Sequence, residues 1–259
     1  MKRIATALVL IPVAVWLALY APYWAFAAVL AVVGVLAFHE FDHIAAAQGM
    51  VKAEWLGIAS GLALLFAPDP FLVAVLVALA AMTFTLRVSD LSQALRSAAA
   101  LVLGVIYIFG AWRCAIELRE INRHWLMIAL LVSWAGDTAA LYAGRTFGRH
   151  KLAPQVSPAK TWEGSIGSVV GGVIAAGVYA HFLIPDESMA WVLALGAAAN
   201  IAGQAGDLCE SAFKRGAALK DSGSMLPGHG GWLDRLDSTL FSVPVVYAAQ
   251  VYMMSLAHV

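Results

Sequence analysis

The sequence predicts an all-α fold that crosses a membrane several times. Hydrophobic residues make up 62% of the 259 positions and charged residues only 12%, which is about half of the charged share in soluble domains. The mean hydropathy is +0.81. Apolar segments long enough to span a bilayer use up almost the whole chain. We therefore expect a single transmembrane domain over residues 1–259, with no sizeable soluble domain.

Nine transmembrane helices are predicted, each from an apolar run bounded by a break. Pro22, the Pro68–Asp69–Pro70 turn, the polar stretch 119–124 and Pro185 supply the clearest breaks. The first helix starts like a signal peptide but lacks a small-residue cleavage site, so we expect it to be retained. The third is short enough to be tilted or partly re-entrant. The predicted helices span residues 4–20, 22–47, 54–67, 70–86, 98–117, 125–144, 163–184, 189–208 and 238–257.

The distribution of Lys and Arg predicts the orientation. With a cytoplasmic N-terminus, thirteen of the sixteen Lys and Arg residues fall on one side and only Arg113, Arg119 and Arg123 on the other. The positive-inside rule then places the loops 145–160 and 207–237 in the cytoplasm. The thirteen residues are Lys2, Arg3, Lys52, Arg87, Arg96, Arg145, Arg149, Lys151, Lys160, Lys214, Arg215, Lys220 and Arg235.

The stretch from Asp207 to Asp237 is the most charged part of the chain. It holds nine of the 32 charged residues in 31 positions. Charge near a bilayer is costly unless it is paired, binds a metal or meets a ligand, so this stretch is predicted to be the functional site. The two cysteines, Cys114 and Cys209, are too few for a disulfide framework or a thiolate metal site.

The order of residues in this stretch resembles the signature of the phosphatidate cytidylyltransferase (CDP-diacylglycerol synthase) family. Twelve positions over 27 residues match. The one departure is Trp232, where the family usually has an aliphatic residue, and we expect it to change only the local packing. The resemblance covers about residues 130–245, which we take as the catalytic part. The matching positions are Ser211, Lys214, Arg215, Lys220, Asp221, Pro227, His229, Gly230, Gly231, Asp234, Arg235 and Asp237.

A second stretch, residues 157–164, resembles the same family together with Asp137. Lys160 has two interpretations, a ligand for phosphate or a loop cation that caps the following helix and snorkels to the headgroups. Asp137 lies well inside an apolar segment, where a carboxylate is normally buried against a partner or a metal. We expect the sixth, seventh and eighth predicted helices to converge on a polar cavity that faces the cytoplasm.

The resemblance implies a reaction of phospholipid biosynthesis, in which CTP and phosphatidate (phosphatidic acid) give CDP-diacylglycerol and pyrophosphate. Two anionic substrates call for a divalent metal, here Mg²⁺, held by carboxylates, and for cations on the phosphates. The sequence leaves open a second, monovalent cation, the acyl-chain preference and the residues that contact cytosine. The resemblance further implies a homodimer in a bacterial inner membrane, with its active site facing the cytoplasm and no nucleic-acid partner.

The site residues follow from this chemistry. Asp207 and Asp234 have no obvious cation partner in the sequence, so they are predicted to bind the metal, supported by Asp237 and Asp137. In a helix, Asp207, Glu210, Ser211 and Lys214 would share one face. The predicted catalytic residues are Lys160, Asp207, Lys214, Arg215, Lys220, Asp221, Asp234 and Arg235. The predicted substrate-binding residues are Ser211, His229, Gly230 and Gly231.

The glycine-rich segment 227–231 has two interpretations. Its backbone amides can approach a phosphate closely, or the segment is only a connector. His229 is either a donor to phosphate or a turn residue.

Two other function classes remain open from the sequence. Residues 39–43 match H-E-x-x-H, the zinc protease pattern, although no third metal ligand is evident. The simpler interpretation is a helix end near the headgroups, with Glu40 remote from the nucleotide. Asp137 in a glycine-rich bundle also fits an ion or proton transporter, but no inverted repeat is visible.

Overall fold

The protein is predominantly helical in a computed structural model that describes residues 2–225 and 230–257. Short 3₁₀ turns lie at Thr85–Arg87 and Leu91–Gln93, and a π-helical turn lies at Val105–Gly110. The elements in chain order are α1 (Lys2–Leu19), α2 (Tyr23–Ala47), α3 (Glu54–Phe66), α4 (Pro70–Phe84), α5 (Ala94–Gly104), α6 (Ala111–Phe147), β1 (Lys151–Ala153), β2 (Ser157–Thr161), α7 (Trp162–Leu183), α8 (Met189–Gly216), α9 (Leu233–Leu236) and α10 (Thr239–Ala257).

The predicted class, an all-α polytopic membrane protein, is confirmed, whereas the count of nine helices is not. Among the described residues, six helical segments are long and apolar enough to cross a membrane. Leu10–Leu19 and Glu54–Phe66 are apolar but shorter. The six segments are Tyr23–Ala47, Pro70–Arg87, Leu91–Phe147, Trp162–Leu183, Met189–Gly216 and Thr239–Leu256.

The helices predicted at 98–117 and 125–144 belong to one helical run. The run has 57 residues, about 85 Å at 1.5 Å per residue, against about 30 Å for a hydrocarbon core. Asn122 has non-helical backbone angles (φ −165°, ψ 112°) and marks a kink inside the predicted break at 119–124. The sequence therefore located the break, but the chain passes it as a kinked helix and not as a loop.

Arginine side chains around this kink bind the end of α1. Arg119 donates through Nε to the carbonyl of Ala18 at 2.8 Å, and Arg123 donates to the carbonyl of Leu19 at 2.8 Å. Both acceptors lie at the carboxyl end of α1, where helical carbonyls lack partners within the helix. The charged residues are thus held by hydrogen bonds at the end of a neighbouring helix.

The chain forms two compact units. Unit 1 comprises Met1–Ile11, Pro22–Arg113 and Phe213–Leu236, and unit 2 comprises Pro12–Ala21, Cys114–Ala212 and Asp237–Val259. The core of unit 1 is aromatic, with the rings of Phe38 and Phe109 6.0 Å apart. Gly104 lets Phe41 approach, since a Cβ there would lie 2.7 Å from that ring. The single domain over 1–259 stays a prediction.

Unit 2 contains the β-hairpin that precedes α7. Strands β1 and β2 pair antiparallel, with Lys151 opposite Thr161 and Ala153 opposite Ser157. Thr161 then caps α7, because its Oγ1 accepts from the amide of Gly164 at 3.1 Å. The capping role considered for Lys160 therefore belongs to its neighbour, and Lys160 is left at the end of a strand with its side chain directed elsewhere.

Helix α7 has one face of small residues and one face of large residues. Its buried face consists of small residues at every fourth position, Gly164, Ser168, Gly172, Ala176 and Ala180. The opposite face carries large apolar side chains, all exposed: Trp162, Ile166, Val170, Ile174, Val178 and Phe182. Small residues let membrane helices approach closely, while a large apolar face suits lipid. This pattern places α7 at the perimeter of unit 2.

Candidate active site

Helix α8 carries the first part of the charged stretch. It extends to Gly216, beyond the predicted end at residue 208. Asp207, Glu210, Ser211 and Lys214 are therefore all helical, and the predicted i, i+3, i+4, i+7 spacing on one face is confirmed. The extension has a physical reason, since Lys214 and Arg215 lie in the last helical turn, where cations interact favourably with the helix dipole.

Unit 2 contains an ion pair between Lys160 and Asp207. The Lys160 ammonium donates to Asp207 Oδ2, and the side chains are 27% and 30% exposed. Ser211 Oγ lies 3.4 Å from the other oxygen, Oδ1. The hairpin thus gives Asp207 a cation partner 47 residues away, which was not obvious in the sequence. A partly dehydrated ammonium beside a carboxylate is a suitable place for a phosphate or a metal to compete for either partner.

Asp207 also interacts electrostatically with a further carboxylate of unit 2, that of Asp237. Burial raises the pKa of Asp237 well above its ordinary range, and the negative charges of Asp207, Glu210 and Asp137 raise it further. Asp237 Oδ1 also accepts from the amide of Ser238 at 2.7 Å. The charges of Asp207 and Asp137 therefore act on the Asp237 carboxyl, as expected for carboxylates that lie near one another.

These carboxylates suit a hard divalent cation in charge and donor type. Carboxylate oxygens are the ligands that Mg²⁺ prefers, and a cation among them would offset the repulsion that raises the pKa of Asp237. Within residues 2–225 and 230–257, no group of three or more His, Cys, Asp or Glu side chains is already arranged around a metal position. These residues therefore fit the cation by their charge and by the type of their donor atoms, without a finished coordination shell.

Unit 1 contains a second, more buried ion pair, between Lys214 and Asp234. Their charged atoms are 2.5 Å apart, and the side chains are 10% and 5% exposed. Asp234 Oδ2 accepts from the amides of Ser222 at 2.9 Å and Gly231 at 2.8 Å. Burial raises the pKa of Asp234, but Lys214 and the two amides outweigh it and hold the pKa below its usual value. Asp234 therefore also has a cation partner that was not obvious in the sequence.

The remaining predicted residues of unit 1 differ in what they contact. Gly230 has φ +78°, a left-handed conformation that favours glycine, and a Cβ there would collide with the Asp234 carboxylate. The Gly231 amide already donates to Asp234, so it is committed to the protein in this structure. Lys220, Asp221, Arg215 and Arg235 are exposed on the same segment, and His229 lies outside the described residues.

Glu40 is a residue of this region that the sequence prediction misplaced. It is only 3% exposed and accepts from Ser222 Oγ at 2.7 Å, the amide of Trp232 at 3.0 Å and the amide of Leu233 at 2.9 Å. It was expected near the headgroups and remote from the nucleotide, whereas the structure buries it against the charged stretch. A glutamate inside an otherwise apolar helix was the signal available in the sequence. Trp232 uses its backbone, so an aliphatic residue could make the same bond.

The other polar residues of the H-E-x-x-H match have separate roles. Asp42 accepts from the amides of Ala53 at 2.8 Å and Glu54 at 3.1 Å, and so holds the start of α3. His39 and His43 are exposed, whereas Glu40 and Asp42 are buried. The two carboxylates are thus explained by hydrogen bonds within unit 1, and nothing in this arrangement favours the zinc protease interpretation.

Comparison with known proteins agrees with the motif resemblance. A phosphatidate cytidylyltransferase of Haemophilus influenzae is 42% identical over 123 residues, 46% of this chain and 43% of that protein. One of Staphylococcus saprophyticus is 39% identical over 157 residues, covering 61% of this chain and 58% of the relative. One of Bacillus subtilis is 37% identical over 150 residues, covering 57% and 56%.

The chain spans about half the length of these curated relatives in the matched segments. A broader match comes from the family model described as the cytidylyltransferase family, which covers residues 1–253. That range includes both ion pairs, the hairpin and Glu40. The chain therefore belongs to the cytidylyltransferase family.

Proposed function

We propose that the chain transfers a cytidylyl group from CTP to phosphatidate. A phosphate oxygen of the lipid forms a bond to the α-phosphorus of CTP, the bond from that phosphorus to the oxygen bridging to the β-phosphate breaks, and pyrophosphate leaves with the bonding electrons. The observation that carries the proposal is the Lys160–Asp207 pair, which joins the two sequence stretches that resemble the family. The names of the relatives support the same substrates.

The cations of the site have a common task. Negative charge shifts toward the leaving pyrophosphate in such a transfer, and a preorganised ammonium or guanidinium stabilises that charge. Lys160 supplies such a group in unit 2, and Lys214, Arg215, Lys220 and Arg235 supply others in unit 1. The lipid phosphate is already anionic near neutral pH, so no side chain has to remove a proton before attack.

We propose Mg²⁺ as the cofactor, with Asp207, Asp237 and Asp137 as its ligands in unit 2; for unit 1, Asp234 is the proposed metal ligand. When bound, the ion would neutralise phosphate charge and act as a Lewis acid. In unit 2, Ser211 keeps the Asp207 carboxylate oriented through its hydroxyl, 3.4 Å away. Whether a monovalent ion accompanies Mg²⁺ is decided by measuring turnover with Na⁺ or K⁺ as the only monovalent cation.

The location of the reaction follows from the distribution of Lys and Arg. Thirteen of sixteen fall on one side, so we propose that loops 145–160 and 207–237 face the cytoplasm of a bacterial inner membrane, where CTP is available. The homodimer is proposed from the family resemblance alone, and crosslinking in native membranes tests it.

The proposed reaction predicts lipid-dependent release of pyrophosphate. Protein purified in detergent is given labelled CTP and a panel of lipid phosphates, with and without Mg²⁺. We expect label to enter the lipid only when phosphatidate and Mg²⁺ are both present. Diacylglycerol, which lacks the phosphate nucleophile, is the control substrate. CTP hydrolysis at the same rate with and without phosphatidate would contradict the proposal.

Lys160→Ala is expected to lower kcat/KM by about 100-fold or more, because loss of one charge-stabilising donor has effects of this size. The measurement is steady-state cytidylyl transfer. Lys151→Ala is the matched control, since Lys151 is an exposed lysine of the same hairpin. We expect it to keep near-normal kinetics. Equal, small effects of both substitutions would return Lys160 to a role at the membrane surface.

A further inference from the structure

Glu40 holds two parts of the charged stretch together within unit 1. It lies in α2 and is separated from its partners by 182 to 193 residues of sequence. One partner, Ser222, follows α8, and the others, Trp232 and Leu233, lie at the start of α9. A single buried carboxylate therefore joins the chain on both sides of residues 226–229.

The hydrogen bonds around Glu40 continue to the buried ion pair. Ser222 Oγ donates to Glu40 Oε2 at 2.7 Å and accepts from the amide of Asp234 at 3.3 Å. The amide of Ser222 donates to Asp234 Oδ2, and the other oxygen of that carboxylate, Oδ1, pairs with Lys214. Ser222 thus links Glu40 directly to the Asp234 carboxylate. A shift at Glu40 must move Ser222, and with it two of the contacts that orient Asp234.

The packing around Glu40 leaves no space for adjustment. A Cβ on Gly223 would lie 2.6 Å from Glu40 Oε1, and a Cβ on Gly231 would collide with both Glu40 Oε2 and Ser222 Oγ. Glycine at these positions lets the backbone approach the carboxylate directly. Backbone and hydroxyl donors therefore enclose the Glu40 carboxylate as they would enclose a bound anion.

We propose that Glu40 is a positioning residue for cytidylyl transfer, which sets Ser222 and Asp234 for the reaction without touching the substrate. This inference rests on the proposed function. A carboxylate accepts at both oxygens, whereas the amide of glutamine has one acceptor and one donor. In Glu40→Gln, the new donor must face either the Trp232 amide or the pair formed by Ser222 and Leu233, and a buried donor then loses its acceptor.

Hydrogen exchange tests the positioning role without any substrate. In Glu40→Gln, we expect the amide of Trp232 or that of Leu233, whichever faces the new donor, to exchange about tenfold faster or more, because it loses its acceptor. Asp42→Asn is the matched control: it removes a second buried carboxylate of α2 whose partners are the amides of Ala53 and Glu54. There the faster exchange should appear at Ala53 or Glu54, and at neither Trp232 nor Leu233.

Kinetics test the consequence for the reaction. Per folded molecule, Glu40→Gln is expected to lower kcat/KM by about 10- to 100-fold, whereas Asp42→Asn stays within about threefold of the unaltered protein. Ser222→Ala should cause a comparable loss, and the double variant Glu40→Gln/Ser222→Ala should lose little more than either single variant, because both act through one link.

The two measurements separate the possible failures. Normal exchange at Trp232 and Leu233 in Glu40→Gln, or equal kinetic losses in Glu40→Gln and Asp42→Asn, would overturn the positioning role. Additive losses in the double variant would overturn the link through Ser222. If Glu40→Gln does not fold, Ser222→Ala alone decides, since its normal kinetics would contradict the proposal. Absence of cytidylyl transfer in the unaltered protein would reject the proposed function, while exchange still tests Glu40.

Discussion

Asp207→Asn is expected to abolish turnover, with a loss of at least about 1,000-fold, which corresponds to about 4 kcal/mol of transition-state stabilisation. Asparagine keeps the size of the side chain but removes the charge that pairs with Lys160 and the second carboxylate oxygen proposed to bind Mg²⁺. Steady-state transfer at saturating Mg²⁺ measures the loss.

Folding should be almost unaffected by Asp207→Asn. Both members of its ion pair are roughly a quarter to a third exposed, and partly exposed pairs contribute about 1 kcal/mol or less to stability. Thermal unfolding in detergent checks this. Cys209→Ser is the control on the same helix, because Cys209 is exposed and has no proposed role. Near-normal turnover of Asp207→Asn at high Mg²⁺ would remove Asp207 from the proposed metal ligands.

Asp234→Asn is also expected to abolish turnover, but it should destabilise the protein as well. Its ion pair with Lys214 is almost fully buried, and removing one partner of such a pair leaves an uncompensated charge at a cost of about 3–5 kcal/mol. Unfolding and turnover measured on the same preparation separate the two effects. We expect a lower unfolding temperature together with a loss of activity in the fraction that remains folded.

A double variant distinguishes catalysis from packing at this pair. In Asp234→Asn/Lys214→Gln, one amide oxygen can still accept from Ser222 and Gly231, and the two new amide groups can hydrogen-bond to each other. We expect stability to recover by most of the loss, while turnover stays absent. Recovery of turnover with stability would mean that the Lys214–Asp234 pair serves only the fold, and Asp234 would leave the site.

The membrane class and the candidate site were both predicted from the sequence, and the first is confirmed. Both depend on local properties of the chain. Hydrophobic runs of membrane length need only composition, and the concentration of charge at 207–237 needs only a count. The shared face of Asp207, Glu210, Ser211 and Lys214 needs only the helical period, and the extension of α8 to Gly216 confirms it.

The pairing of these charges was decided by the tertiary structure. Lys160 reaches Asp207 because a hairpin ends just before α7, and Asp234 meets Lys214 because the chain returns after residues 226–229. Glu40 was predicted near the headgroups as part of a helix end, yet three donors about 190 residues away make its burial favourable. Periodicity reports which residues share a face of one helix. Which side chain meets that face depends on how distant segments pack, and burial of a charge is stable only where that packing supplies its partners.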